Sequence, residues 1–240
     1  MKGCAIDFET SGLDLNKDRI IEVGFTLFEV RETSIMDLRS GEFYVNPGDD
    51  VVLTPEAMAV NGIAPEDVFG GIKIEGLFNL LPKEADFFIA HNKAFDEFMY
   101  RNEAARQGLE IDPRPWLCSM VDFEHPKKIK CRKLSHMALD YGVAVNPDLL
   151  HRAAADTEIL VRMLGRMNPD FAEAIRELDI PKITVKAIIP PPWEDGGKGK
   201  EAAVSCGFRW NGTKKIWGKE IRENKFSQLK EELGYDIAQV

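Results

Sequence analysis

Near the start of the chain an apolar run is broken by two acids spaced like the pleat of a strand, Ala5-Ile6-Asp7-Phe8-Glu9. A β-strand shows successive side chains to opposite faces, so Asp7 and Glu9 share one side while Ile6 and Phe8 share the other. Two carboxylates are thus aimed at one small volume. Like charges so close resist ionisation unless a cation lies between them, and hard divalent ions such as Mg²⁺ or Mn²⁺ take oxygen ligands of this kind. Alone, an Asp-x-Glu also suits a strand end with two solvated acids. The rest of the chain has to supply the partners that decide between these readings.

Residues 20–28 read as a largely buried strand and residues 34–45 as a third, closing an antiparallel meander. Thr54-Pro55-Glu56 gives an N-cap, a proline at the first helical position and a first-turn acid, and Asn61-Gly62 stops that helix. Short helices follow at 65–67 and 74–81. Residues 86–90 form a short apolar strand, and Phe95, Phe98, Met99 and Ala105 mark a helix over 94–107 with Asp96 in its first turn. Residues 116–121 give another strand, 134–141 a helix, and 151–167 a longer helix rich in Ala and Leu. Strands first, then strands alternating with helices, predict an α/β fold with a mixed sheet flanked by helices. Near residue 180 the texture changes to an alternating stretch, Pro190-Pro191-Pro192 and a glycine-rich segment. A domain over 1–180 is therefore followed by a small α+β domain over 181–240. That second domain reads as a strand, a helix at 201–206, a hairpin turning at Asn211-Gly212 and a helix at 226–233.

With 240 residues the chain can bury a sizeable core. A net charge of −9 argues against coating duplex DNA through nonspecific electrostatics, but a nuclease remains open because cations neutralise an acidic cleft locally. Cys4, Cys118, Cys131 and Cys206 are scattered, which fits a reducing compartment. Met1-Lys2-Gly3 leads into a strand, and no apolar run is long enough to span a bilayer, so the expectation is a cytoplasmic protein without membrane partners.

Asp96 follows a central strand and Asp156 lies in the long helix, so both can reach the end of the sheet that holds Asp7 and Glu9. Each has a plainer explanation alone, as a helix-dipole acid or a solvated helix residue. His151 lies five positions before Asp156, and five helical steps leave about 140° between side chains, so the two cannot share a face of one regular helix. If the helix starts near Arg152 or Ala153, His151 can swing over the cleft from the preceding loop. An imidazole there can take a proton from water.

Three stretches, residues 7–13, 90–96 and 151–156, resemble in order the three motifs of the DEDDh 3′–5′ exonucleases, a DnaQ-like family of the ribonuclease H-like superfamily. Within it, residues 53–60 and 116–120 are most similar to the exonuclease X group, and the likeness covers residues 3–167. The resemblance implies that Asp7, Glu9, Asp96 and Asp156 hold two Mg²⁺ or Mn²⁺ ions and that His151 deprotonates the attacking water. It implies that Thr10, Ser11, Gly12 and Leu13 hold the terminal nucleotide, with Asn92 and Phe95 shaping the pocket. Many relatives carry histidine where this chain has Asn61, which puts contact with the nucleotide from that loop in question. The implied substrate is single-stranded DNA or a frayed DNA 3′ end, in repair or proofreading, with a replication or repair protein as candidate partner. An RNA-trimming exonuclease is the rival within enzymes. A non-catalytic nucleic-acid-binding module on a nuclease fold is the rival of another class.

Cys118, His125, Cys131 and His136 have zinc-binding chemistry, but their spacing fits no compact ligand set. Lys127, Lys128, Lys130, Arg132 and Lys133 make a basic loop that can be a solvated surface or a phosphate grip. In the hairpin at 208–219, Trp210 and Trp217 are read as the core of a very small domain in preference to an exposed stacking surface.

Overall fold

Residues 3–6 have no polar side chain apart from a thiol, and a strand of that kind is stable only inside a sheet. In a computed structural model, which describes residues 1–240 except 33, 127, 128 and 130, this stretch is buried on both faces. The chain divides into two compact units, Met1–Phe171 and Ala172–Val240.

In the first unit, β1 (Lys2–Thr10), β2 (Ile20–Val30) and β3 (Ile35–Asn46) form the antiparallel meander. A two-residue strand β4 (Ile72–Lys73), β5 (Phe87–Ala90) and β6 (Trp116–Cys118) extend it to a mixed sheet in the order β4-β3-β2-β1-β5-β6. The helices are α1 (Pro55–Asn61), α2 (Pro65–Phe69), α3 (Ile74–Leu80), α4 (Lys93–Arg106), α5 (Leu134–Asp140) and α6 (Ala153–Met167). This is the mixed sheet flanked by helices that the sequence predicts. The strand expected over 116–121 ends at Cys118, where Val121 and Asp122 turn back to bond its carbonyl.

The two faces of β1 meet different helices. Cys4, Ile6 and Phe8 pack with Leu77 of α3 and with Met99 and Tyr100 of α4. The opposite face receives α6, and Gly24 of β2, paired with Asp7, lets it approach. A Cβ at Gly24 would lie 2.1 Å from the backbone carbon of Ala153. Next to this contact, Thr26 and Thr157 hydroxyls meet at 3.0 Å. Gly24→Ala should therefore lift the start of α6 off the sheet, costing about 1–3 kcal/mol in urea unfolding. An unchanged midpoint would show that the contact yields.

In the second unit, α7 (Phe171–Arg176) begins at the division and is followed by β7 (Lys182–Ile188), α8 (Pro192–Asp195), α9 (Lys198–Ser205), β8 (Arg209–Asn211), β9 (Ile216–Arg222), α10 (Phe226–Leu233) and β10 (Asp236–Gln239). Its antiparallel sheet runs β10-β7-β9-β8. The division falls ahead of residue 180 because Arg222 donates to the carbonyls of Glu177, Leu178 and Ile180, and Lys225 pairs with Glu177. Val185, Ala203, Phe208, Ile221, Leu229, Leu233 and Ile237 make the core. The expectation that both tryptophans form the core holds only in part: Trp217 packs partly buried against this core, whereas Trp210 is exposed, since β8 is a three-residue edge strand. Among the described residues no helix is long and apolar enough to cross a membrane.

Candidate active site

β1 outruns its parallel neighbour. Its last pair with β5 is Ala5 with Ile89, and β5 ends at Ala90, so Asp7 and Glu9 project beyond that strand. The chain turns through His91-Asn92 into α4, whose first turn carries Asp96. Asp96 is 4% exposed, and its Oδ1 accepts the backbone N–H of Phe8 at 3.2 Å. A carboxylate from one helix thus sits against the strand between the two acids. From the other face, α6 brings Asp156 in its own first turn.

His151 precedes α6 with φ 63°, a left-handed backbone that side chains other than glycine seldom adopt. Its N–H donates to Asp156 Oδ2 at 3.2 Å. Ligand atoms of Glu9, His151 and Asp156 lie within 4.8 Å of one another, the one such group among the described residues. The exposed imidazole therefore faces the acids.

Charge is crowded here. Burial, then the carboxylates of Asp96, Glu9 and Asp156, push Asp7 well above the usual range. Burial and then Glu22 raise Glu9 to about 8. Burial lifts Asp96 to about 7 against the opposing Phe8 N–H, and burial raises Asp156. Asp156 Oδ1 is buried with no hydrogen-bond partner. An all-oxygen acid cluster with an orphaned buried acceptor fits a hard divalent cation.

The surrounding loops are braced. Arg19 makes a two-pronged pair with buried Glu103 of α4 at 2.7 and 2.9 Å, and Arg106 donates to the carbonyls of Asn16 and Asp18. These contacts hold the 11–19 loop. Ser11 is buried, and its hydroxyl donates to Asp18 and accepts the Arg19 N–H. Thr10 Oγ1 donates to Gly12 O, and Gly12 is buried, whereas Leu13 is 85% exposed. Asn61 is also buried: its Oδ1 accepts the Ile63 N–H, and its amide reaches Thr10 O at 3.5 Å. Asn92 is exposed and Phe95 packs partly on the core.

Sequence reasoning missed Glu22. It lies in register beside Glu9, fully buried, and accepts the Ala153 N–H at 3.0 Å and Arg152 Nη2 at 2.9 Å. Glu42 also accepts from Arg152 and Ala154. The signal was a lone charge inside an apolar run, which must find partners when buried. The zinc set is not assembled: His125 bonds Tyr141 and Ser119 O, and Cys118 points to His91 O. Of the basic loop, Lys127, Lys128 and Lys130 lie outside the described residues.

The family model RNase_T, described as Exonuclease, matches residues 4–164. The chain belongs to this exonuclease family. Ribonuclease T of Klebsiella pneumoniae is 31% identical over 167 residues, covering 64% of this chain and 78% of that protein. Ribonuclease T of Shewanella denitrificans is 30% identical over 121 residues, covering 45% of this chain and 54% of that relative, so the chain spans about half the length of that protein. Among solved structures, the nuclease domain of 3′hExo, a DEDDh family member bound to rAMP, matches with a TM-score of 0.56 and 19% identity over 70% of this chain and 91% of that one. An E. coli ExoI–ssDNA complex matches with a TM-score of 0.62 and 13% identity over 98% and 68%. These structural likenesses establish the fold, the mixed sheet flanked by helices of those nucleases.

Proposed function

We propose that this chain is a divalent-metal-dependent 3′–5′ exonuclease that releases nucleoside 5′-monophosphates from single-stranded or frayed DNA 3′ ends. The observation that carries the reading is the meeting of Asp7, Glu9, Asp96 and Asp156 from three distant segments, beside His151 and around an unpartnered buried oxygen of Asp156. These four acids would hold the ions. Two divalent ions in such a site lower the barrier by offsetting charge on the attacking and leaving oxygens.

His151 takes a proton from water as the water oxygen bonds to the terminal phosphorus. The bond from phosphorus to the 3′ oxygen of the preceding nucleotide breaks, and that oxygen takes up a proton from solvent. Leu13, Asn92, Phe95 and the backbone of residues 10–13 face the terminal nucleotide. Thr10, Ser11, Gly12 and Asn61 keep that loop in shape through the contacts described above.

RNA trimming is the second reading, favoured by curated relatives named Ribonuclease T. Discrimination rests on contact with the 2′-hydroxyl. Digestion of 5′-labelled DNA and RNA, single-stranded and duplex, with Mg²⁺, Mn²⁺ or EDTA, tests both. The expected result is a ladder shortening from the 3′ end, with mononucleotide release that EDTA stops. Internal cuts, or binding without release, would overturn the proposal.

A further inference from the structure

The acid excess is confined to part of the chain. Residues 1–171 carry 29 Asp and Glu against 19 Lys and Arg, whereas residues 172–240 carry 11 against 12. Four of the twelve cations in the second unit, Arg209, Lys214, Lys215 and Lys219, fall within one hairpin between residues 209 and 219. An acidic nuclease that must hold a polyanion has an evident place to do so here.

The hairpin also carries aromatic surface in a fixed arrangement. Trp210 pairs across the strands with Trp217, their ring centroids 5.6 Å apart and tilted by 55°. Trp217 is anchored on the core, while Trp210 is 54% exposed. The turn is shaped by Asn211, whose Oδ1 accepts the Lys214 N–H at 2.9 Å, and by Lys215 at φ 52°. Thr184, Arg209, Trp210, Asn211 and Lys214 line a concavity of about 410 Å³, with Glu220 as the acid in its wall. That volume is in the range of small-ligand sites.

We propose that this face is a second nucleic-acid site, taking a base of a single strand against Trp210 and its flanking phosphates on Arg209, Lys214 and Lys215. Every base has a π face, so an exposed indole among cations suits a single strand of any sequence. Exposed cations alone would suit any anion; the braced indole beside them is what favours a polynucleotide. The inference rests on the nuclease reading only in that the strand held here is that reading's substrate.

The test uses the full chain on a trinucleotide, as a short substrate for the nuclease site, and on a 30-residue single strand, each as DNA and as RNA. In Trp210→Ala the KM for the long strand should rise about tenfold. The trinucleotide rate should stay at the wild-type value. In the Lys214→Ala/Lys215→Ala double variant the salt dependence of log KM for the long strand should flatten by about 0.7 per lost contact. Equal loss on DNA and RNA marks the shared chemistry, and loss on one alone assigns the site to that polymer.

Wild-type KM and salt slope in both variants would overturn the site. So would a trinucleotide rate that falls in parallel, which reports damage to the fold. An effect of the lysines without one of Trp210 would reduce the face to a bare cationic patch and also overturn it. If the wild-type chain hydrolyses neither substrate, the nuclease reading fails. Anisotropy of the labelled long strand in EDTA then still decides this inference through the same variants.

Discussion

Asp156→Asn should slow nucleotide release by on the order of 10³-fold while leaving the melting temperature in EDTA at pH 8 unchanged or higher. Both effects have one cause. The acids of this site are packed too closely to be charged together without a cation: Asp7 is raised well above the usual range, Glu9 to about 8 and Asp96 to about 7. Between the unfolded value of about 4 and these folded values, the native state holds protons that the unfolded chain has released. The contribution of these acids to stability without metal is therefore largest below that window and declines as pH rises through it. A divalent cation displaces those protons, so its stabilisation grows with pH. At about a hundredfold excess over Kd it amounts to about 2.7 kcal/mol, or about 5–10 °C in a protein of this size. Melting curves with Mn²⁺ and with EDTA should separate at pH 8, converge towards pH 5, and coincide more closely in the asparagine variant. Curves equally separated at both pH values would remove the acid cluster as the metal site, and an undiminished rate would remove Asp156 from the chemistry.

Where local chemistry decides the structure, the sequence was readable. Thr54 accepts the Ala57 N–H, Pro55 begins α1 and Gly62 closes it at φ 70°, as that tripeptide and dipeptide predict. The acid pair in β1 was readable because a pleat has a period of two. Asp96 could be placed because it opens a helix just after a recognisable strand, and Asp156 because it falls in the long helix rich in Ala and Leu. The start of α6 was not readable from its own residues: Glu22 and Glu42, far away in β2 and β3, cap its first N–H groups, so the helix begins at Ala153 and His151 stays outside it. Glu22 itself passed as one charge in an apolar strand. Trp210 was misread because a large aromatic is usually covered, and only the sheet order shows that β8 is an edge with nothing beyond it. The bond of the Ser11 hydroxyl to Asp18 was likewise not legible, because the fold of the turn sets where that partner lies.

His151→Gly should reduce kcat by about 10²–10⁴-fold, the usual contribution of a positioned acid–base group, with little change in KM. Unlike most losses of a functional side chain, this one should not weaken the fold. His151 sits at φ 63°, where a residue with a Cβ is held at a cost of about 1 kcal/mol that glycine does not incur. The backbone bond to Asp156 Oδ2 survives the substitution, since it uses the N–H and not the ring. The glycine variant should thus melt at or slightly above the wild-type temperature, and His151→Ala, which keeps the Cβ, at or below it. Both should lose turnover equally, because both lack the imidazole beside Glu9 and Asp156. Added imidazole should restore part of the rate in the glycine variant more readily than in the alanine variant, where the methyl group occupies some of the space. A glycine variant with wild-type kcat and a raised KM would mean that this residue grips the substrate and that another group takes the proton.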